Sequence, residues 1–386
     1  MTKDNVEPSA RVAMVGAGQL ARMTYQAAID YGVDLHVLAS SVSDPAVVGG
    51  ASYSIGNYEH YLDLVMVSKF GQVVTFDHEL VPPSHLQSLE EAGFQLRPSP
   101  KALAFAQDKL HARRQLKNFE HINVSVPEFI PVFSVEDITR FATNHGWPVI
   151  LKARGGGYDG RGVHVLNNSG DANRFVFDTT NSSEPAWVLE EHLELAAEFA
   201  IIIARRPSGD LVSYPPIGTR QEGGMCQEVT MPAELPDEVT SEAIRLAKEI
   251  VIGIGATGIC AIEFFWTTDG RLLLNELALR PHNSGHGTIE ACVTSQFHQH
   301  LRAILDWPLG STELISPAAT VNIIGGPFEV NLVDRLPAAL SVADAHIHLY
   351  AKKSRPGRKL GHVTALGPSV EQALETARAT ARMFKL

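Results

Sequence analysis

Two glutamates, Glu263 and Glu276, have the spacing to share one small volume. Residues 259–266 (Ile-Cys-Ala-Ile-Glu-Phe-Phe-Trp) and 271–277 (Arg-Leu-Leu-Leu-Asn-Glu-Leu) read as buried strands, and Thr-Thr-Asp-Gly between them is a hairpin signal. A turn centred on Asp269-Gly270 sets Glu263 opposite Glu276. Opposed Cβ atoms in such a ladder lie about 4.5–5.5 Å apart, where like charges repel. Either one carboxyl keeps its proton, or a divalent cation that prefers hard oxygen ligands, such as Mg²⁺, sits with the pair beside substrate phosphates. A shifted register would also separate the charges, and the pair alone leaves these readings open.

Other residues point the same way with less weight. The loop 155–162 holds five glycines in eight residues, and its exposed backbone N–H groups are of the kind that bind phosphate oxygens. Lys152 ends the strand before it, placed to reach phosphates as a point charge. No Gly-Lys-Ser/Thr follows, so this is not a P-loop, and a flexible hairpin would read alike. Glu190 and Glu191 close a strand at 187–190, where polar groups reach a nucleotide cleft or simply start a solvated loop. Arg280, His282, Asn283 and His286 follow Glu276 as anion and hydrogen-bond contacts; the two histidines suit Zn²⁺ in type but lack a third soft ligand nearby. Lys352, Lys353, Arg355, Arg358 and Lys359 form the densest basic patch of a chain whose net charge is −11. That patch reads as a site for a phosphorylated substrate, or as a solvated turn.

The elements that must position these groups follow from periodicity. The chain has 386 residues, 45% hydrophobic and 19% charged, enough for two or three packed units. Its acidity argues against non-specific nucleic-acid binding. Cys226, Cys260 and Cys292 form no motif and suit a reducing cytosol. The N-terminus lacks a signal-peptide core, and the longest apolar run, 250–266, is too short for a membrane helix. Strands at 11–15, 33–38 and 73–76 alternate with helices to about Tyr31, at 58–68 and at 84–92, which requires a parallel sheet covered on both faces. The turn Gly16-Ala17-Gly18-Gln19-Leu20-Ala21 suits phosphate at a helix N-terminus, or a bare tight turn. The second strand ends in Leu38-Ala39-Ser40, where a dinucleotide fold places a ribose-binding acid, so a nicotinamide cofactor is disfavoured. Beyond a boundary at Arg97-Pro98-Ser99-Pro100, one helix is expected over 101–118, strands at 147–152, 163–166, 187–190 and 198–205, and an amphipathic helix over 236–252. After the hairpin come a helix at 290–306, strands at 319–325, 346–350 and 361–366, and a C-terminal helix.

Gly-Gly-Tyr-Asp-Gly-Arg-Gly (156–162), Asn-Glu-Leu-Ala-x-Arg-x-His-Asn-Ser-Gly-His (275–286), Ser-Gln-Phe-x-x-His-Leu-Arg-Ala-Ile-Leu-Asp-x-Pro-Leu (295–309) and Arg-Pro-Gly-Arg-Lys-x-Gly-His (355–362) together resemble one family. It is the 5-(carboxyamino)imidazole ribonucleotide synthetases of the ATP-grasp superfamily, the ATPase subunit of phosphoribosylaminoimidazole carboxylase; Gly-x-Gly-Gln-Leu-x-Arg-Met (16–23) is similar too. The resemblance implies an α/β chain of ATP-grasp architecture. An N-terminal Rossmann-like, pre-ATP-grasp domain would span 1–100, and a linker helix with the central α+β ATP-grasp lid 101–205. The ATP-grasp core with its metal site would span 206–310, and a C-terminal α+β substrate-binding portion 311–386. It implies that ATP phosphorylates bicarbonate to carboxyphosphate, which carboxylates the amine of aminoimidazole ribonucleotide, giving ADP and phosphate in purine biosynthesis.

Matched residue by residue, ATP would meet Lys109, Lys152, Gly157, Tyr158, Asp159, Gly160, Arg161, Gly162, Glu190, Glu191, Leu193, Glu198, Gln221, Asn275 and Glu276. Glu263 and Glu276 would hold Mg²⁺ or Mn²⁺. Gln19, Leu20, Arg280, His282, Asn283, Ser284, Lys352, Arg355 and Arg358 would hold the ribonucleotide. Tyr158, Glu79, Arg280 and Lys352 would act at the reacting centre. The resemblance also implies a cytoplasmic homodimer, without nucleic-acid or membrane partners, coupled to the mutase that takes the carbamate. The chain departs from the family at Lys109, where Arg is frequent, at Asp77-His78-Glu79, where Glu-x-Glu is usual, and at Ala278 and Leu279. An ATP-grasp ligase using formyl phosphate, a dehydrogenase and a non-catalytic ATP-binding regulator are the competing readings.

Overall fold

The structure is a computed structural model that describes residues 7–119, 122–156, 162–175, 185–328 and 331–384. In the N-terminal part, β1 (Ala10–Val15), α1 (Gln19–Asp30), β2 (Val33–Ala39), α2 (Pro45–Val48), β3 (Ser52–Ile55), α3 (Tyr61–Ser68), β4 (Val73–Phe76) and α4 (Pro83–Glu91) follow in turn. The four strands are parallel in the order β3-β2-β1-β4. Val12 to Val15 and Val73 to Phe76 are buried without a break, as strands covered on both faces must be. The edge strand β3 has no counterpart among the sequence expectations, because Ser-Tyr-Ser-Ile carries little apolar pattern.

The glycine turn before α1 is filled by the protein itself. Asp77, just past β4, accepts a hydrogen bond from the Gly18 N–H at 2.6 Å. Gly16 has φ +102°, and a Cβ there would lie 1.7 Å from Asp77 Oδ1. The place where a helix N-terminus would receive a phosphate thus holds an internal carboxylate. At the end of β2, the Ser40 and Ser41 N–H groups donate to Asp44 Oδ2 at 2.8 and 3.1 Å, so no acid is offered to a ribose.

The expected helix 101–118 is two helices, α5 (Pro100–Gln107) and α6 (Lys109–Lys117). Asp108 breaks it: its backbone is extended, and its side chain accepts from the His111 N–H at 3.0 Å as an N-cap. The same carboxylate takes the Arg154 guanidinium at 2.7–2.9 Å, which fixes the break. Next, β5 (Phe129–Val132), α7 (Val135–His145), β6 (Val149–Ala153), β7 (Val163–Leu166), α8 (Ser169–Asn173) and β8 (Trp187–Glu191) build a small antiparallel sheet, order β5-β8-β6-β7, with helices on it.

A nine-stranded sheet carries the rest. It begins with β9 (Leu195–Arg205), β10 (Leu211–Ser213), β11 (Ile217–Glu222), β12 (Met225–Met231), α9 (Asp237–Gly253), β13 (Gly258–Thr267) and β14 (Leu272–Ala278). The β11–β12 hairpin is too polar to show in hydrophobic pattern, although Gly223-Gly224 at φ +58° and +76° marks its turn. The expected helix 290–306 is also split, into α10 (Thr288–Ala291) and α11 (Gln296–Ile304), because Ser295 caps the second by accepting from the His298 N–H. The chain closes with β15 (Ala318–Ile324), α12 (Leu336–Ala339), β16 (Ala345–Leu349), β17 (Lys359–Leu366) and α13 (Val370–Arg382). Pairing of β15 with β12 makes the sheet continuous from β9 to β17.

The Asp77 cap sets a stability test. Gly16→Ala must move Asp77 or leave the left-handed backbone, and should cost roughly 2 kcal/mol or more in urea unfolding, whereas Gly93→Ala, where a Cβ meets nothing within 4 Å, bears only the backbone cost.

Candidate active site

The hairpin β13–β14 pairs Glu263 with Glu276, as the turn signal requires. That register holds from Ala261 to Glu263 and slips by one beyond, where Phe264 faces Leu274 and Asn275 is the extra residue of a bulge. The turn is also wider than two residues, closed by Thr267 N–H to the Arg271 carbonyl at 3.0 Å. The bulge brings Asn275 into the carboxylate group: its Nδ2 donates to Glu263 Oε2 at 3.2 Å. Burial first, then the charges of Glu276 and Glu198, push the Glu263 carboxyl up to about 7. Glu198, on β9 opposite Phe265, is raised by its own burial, partly offset by Lys152.

Cations surround this acid group. Lys109, first residue of α6, bonds Glu276 Oε1 at 3.0 Å. Its position follows from the Asp108–Arg154 pair and from Lys109 N–H donating to the Arg154 carbonyl at 2.9 Å. Lys152 donates to Glu190 Oε2 at 2.6 Å and to Asn275 Oδ1 at 3.2 Å, with its ammonium 5.7 Å from the Phe265 ring centre. Arg113, absent from the sequence-derived set, is the hub's third member: Nε and Nη2 meet Glu190 Oε1 at 3.0 and 2.9 Å, and Nη2 donates to the Asn275 carbonyl at 2.6 Å. Glu190 is 2% exposed. Burial opposes its ionisation, but Arg113 and Lys152 hold its carboxyl down at about 2. Both its oxygens are engaged by these two cations.

Glu191 is turned away from this hub. Its Oε1 accepts from the Glu128 N–H at 3.1 Å and from Arg271 at 3.2 Å. Leu193 lies half-buried in the short link between β8 and β9. Gln221 sits on β11 opposite Cys226 and makes none of the hydrogen bonds of the carboxylate group. Gly162, at φ +80°, accepts from the Ala153 N–H at 2.6 Å and re-enters β7. Gly157, Tyr158, Asp159, Gly160 and Arg161 lie outside the described residues.

On the other side of Glu263 the chain forms a second group. Arg280 Nε donates to Glu79 Oε2 at 2.9 Å, while Glu79 Oε1 is buried without a partner. The His282 backbone is clamped by Gln296, which accepts from its N–H at 2.9 Å and donates to its carbonyl at 2.7 Å. His282 Nδ1 accepts from the Ser284 N–H at 3.4 Å and lies 2.9 Å from Ser284 Oγ. Its proton therefore belongs on Nε2, 3.5 Å from Glu263 Oε1. Burial, then Arg280 and Lys359, pull its pKa down to about 3, so the ring is neutral at pH 7. Both side-chain polar atoms of Asn283 are buried without a partner, an unusual state that suits a ligand-binding amide.

Lys352 reaches the Gln19 side chain at the start of α1, which closes this group against the N-terminal sheet; the adjacent Leu20 is buried. Arg355 and Arg358 lie on the turn held by Gly325, whose carbonyl accepts from the Gly357 N–H at 2.9 Å and whose N–H donates to the Arg358 carbonyl at 2.8 Å. Of the two basic-patch members outside the expected ligand set, Lys353 and Lys359, the second is only 6% exposed at the start of β17.

Residues 9–107 match the ribonucleotide synthetase preATP-grasp domain family, 117–297 the ATP-grasp domain, and 318–376 the phosphoribosylaminoimidazole carboxylase C-terminal domain. The N5-carboxyaminoimidazole ribonucleotide synthase of Mycobacterium tuberculosis H37Rv is 42% identical over 375 residues, covering 96% of this chain and 86% of the relative. The chain belongs to the N5-carboxyaminoimidazole ribonucleotide synthase family. Two crystal structures of Aspergillus clavatus synthases share its fold. One, complexed with ATP, has TM-score 0.89 at 30% identity, covering 97% of this chain and 98% of the other. The second, with ADP and 5-aminoimidazole ribonucleotide, has TM-score 0.86 at 28% identity and the same coverage. Synthases of this family are ligases that spend ATP to carboxylate aminoimidazole ribonucleotide in purine biosynthesis.

Two measurements check this geometry. Arg113→Met leaves the buried Glu190 with one partner and should destabilise the synthase by roughly 3–5 kcal/mol in urea unfolding. The second concerns pH. Folding raises Glu263 from 4.5 to about 7, so between those values the folded state holds more protons than the unfolded one. The contribution of Glu263 to stability therefore falls as pH rises from about 4.5 to 7. Glu263→Gln should flatten that decline, measured as urea midpoints across this range in EDTA; an unchanged slope would show that Glu263 is not so shifted.

Proposed function

We propose that ATP lies between the small sheet and the β13–β14 hairpin, and that the ribonucleotide lies beyond Glu263 against Gln19, His282–Ser284 and Lys352. The observation that carries this reading is the paired carboxylates Glu263 and Glu276, with lysines on one side and the orphaned Asn283 amide on the other. Hard carboxylate oxygens at opposed positions suit Mg²⁺ or Mn²⁺, and a cation there would relieve the burial and repulsion that push Glu263 up to about 7. A metal held there would neutralise charge on the transferring phosphoryl group.

The chain's own residues then have distinct tasks. Lys152 and Lys109 balance phosphate charge, and Arg113 keeps Lys152 in place through Glu190. Bicarbonate oxygen attacks the γ-phosphorus, the bond to the β-phosphate oxygen breaks, and ADP leaves. The amine nitrogen then attacks the carboxyphosphate carbon, phosphate leaves, and the nitrogen gives up a proton. Arg280, fixed by Glu79, meets the anionic carboxyphosphate. The neutral His282 spans both halves, with Nε2–H toward Glu263 and Nδ1 toward Ser284. Tyr158 and the Gly-rich loop belong to the same reading as the cover that keeps water from carboxyphosphate. So do a homodimer, transfer of the carbamate to the mutase, and a cytoplasmic setting, which rest on the family; among the described residues no helix is long and apolar enough to cross a membrane.

The test is ADP release with Mg·ATP and bicarbonate, with and without aminoimidazole ribonucleotide. The ribonucleotide should stimulate release strongly, and formate should not replace bicarbonate. Glu276→Gln should lower turnover by roughly a hundredfold or more, the scale of losing one charge-stabilising group. Turnover that ignores the ribonucleotide would sink the reading.

A further inference from the structure

Behind the ribonucleotide group lies a buried polar assembly that the proposed reaction does not use. His348 on β16 and His362 on β17 are cross-strand partners whose rings stack 4.4 Å apart at 13°. His348 Nε2 lies 2.6 Å from Glu290 Oε1, on α10. His362 Nδ1 lies 2.7 Å from the Tyr350 hydroxyl. Tyr350 and His362 are 1% and 0% exposed. Burial holds His362 well below the usual imidazole range, so its ring packs as a neutral group.

This assembly ends under Lys352. The Lys352 ammonium stands 5.6 Å from the centre of the Tyr350 ring, the geometry of a cation–π contact. Between the two, Ala351 has φ +56°, a left-handed conformation that residues with a Cβ rarely adopt. The turn there takes the chain off the sheet after Tyr350 N–H has bonded the Leu360 carbonyl at 2.9 Å, and Lys352 is left above the ring, facing Gln19. A long, flexible lysine gains direction from such a platform. The platform in turn is fixed at its hydroxyl by His362, and through the imidazole stack it is tied to Glu290, on the same stretch of chain as His282, Asn283 and Ser284.

We propose that Tyr350 is a positioning residue for the ribonucleotide: its ring aims Lys352, and His362, with the His348–Glu290 pair, holds the ring in register with the His282–Ser284 segment. The proposal rests on the reading that Lys352 binds the ribonucleotide, and its test separates the two. Steady-state kinetics of the full-length protein would compare Tyr350→Leu, Tyr350→Phe, Lys352→Met and the double variant Tyr350→Leu/Lys352→Met. Tyr350→Leu should raise the KM for the ribonucleotide about tenfold with the KM for ATP unchanged, within the range a desolvated cation–π contact supplies. Tyr350→Phe keeps the ring but loses the hydroxyl held by His362, and should give a smaller rise than Tyr350→Leu but not the native value. In the Lys352→Met background, Tyr350→Leu should add nothing, because its effect passes through the lysine. An equal rise in both backgrounds, or a rise in the KM for ATP as well, would overturn the platform role. If Lys352→Met alone leaves the ribonucleotide KM unchanged, the assignment of Lys352 fails instead, and the platform with it. Should Tyr350→Leu not fold, a fluorinated phenylalanine at 350, matched in shape to Tyr350→Phe but with less electron density on its face, takes its place with the same expected outcomes.

Discussion

Two carboxylates are forced face to face across a β-ladder, and the site is arranged around that repulsion. Backbone pairing sets Glu263 opposite Glu276, and the partial burial of both side chains weakens the screening between them. The surrounding groups read as responses to this one constraint. Lys109 is brought to Glu276 from a helix start, Lys152 from a strand end, and Asn275 from a bulge in the hairpin itself. None of these cations is independently fixed. Lys109 depends on Asp108 and Arg154, and Lys152 on Glu190 and Arg113, so the acid pair is supported by a second circle of ion pairs drawn from other parts of the chain.

The legible part of this arrangement was what period and turn chemistry express. Strand alternation and an Asp-Gly turn were enough to set Glu263 against Glu276, and alternation of strands with helices was enough for the parallel N-terminal sheet. Arg113 shows the opposite case. In Leu-His-Ala-Arg-Arg-Gln-Leu-Lys it looks like any solvent-facing helix arginine, and only its meeting with Glu190, far along the chain, makes it a buried member of the site. The bulge was equally silent, since one residue inserted into a ladder changes no composition. The breaks at Asp108 and Ser295 were written in the sequence as capping residues, but the strong helix formers around them masked the signal. The polar β11–β12 hairpin escaped because hydrophobic pattern reports burial on a face, and these strands bury little.

His282 joins the two halves of the site by a chemical route rather than by proximity alone. Its backbone is pinned by Gln296, its Nδ1 is committed to Ser284, and its remaining N–H faces the acid pair. A change of charge at Glu263 is therefore felt first by a ring whose other edge is held by Ser284. The continuous nine-stranded sheet gives this contact a stiff backing, since the strands bearing Glu263 and those bearing the basic patch are parts of one hydrogen-bonded surface.

The Asp77 carboxylate at the start of α1 has a wider consequence. A helix N-terminus after a glycine turn offers N–H groups to an anion, and here the Gly18 N–H is taken by a carboxylate of the chain itself. The helix end is thereby tied to the end of β4, and its first side chain, Gln19, meets Lys352 from far along the chain. A single aspartate thus works as a joint, so that a shift at the end of β4 is passed to the start of α1 and from there to Lys352.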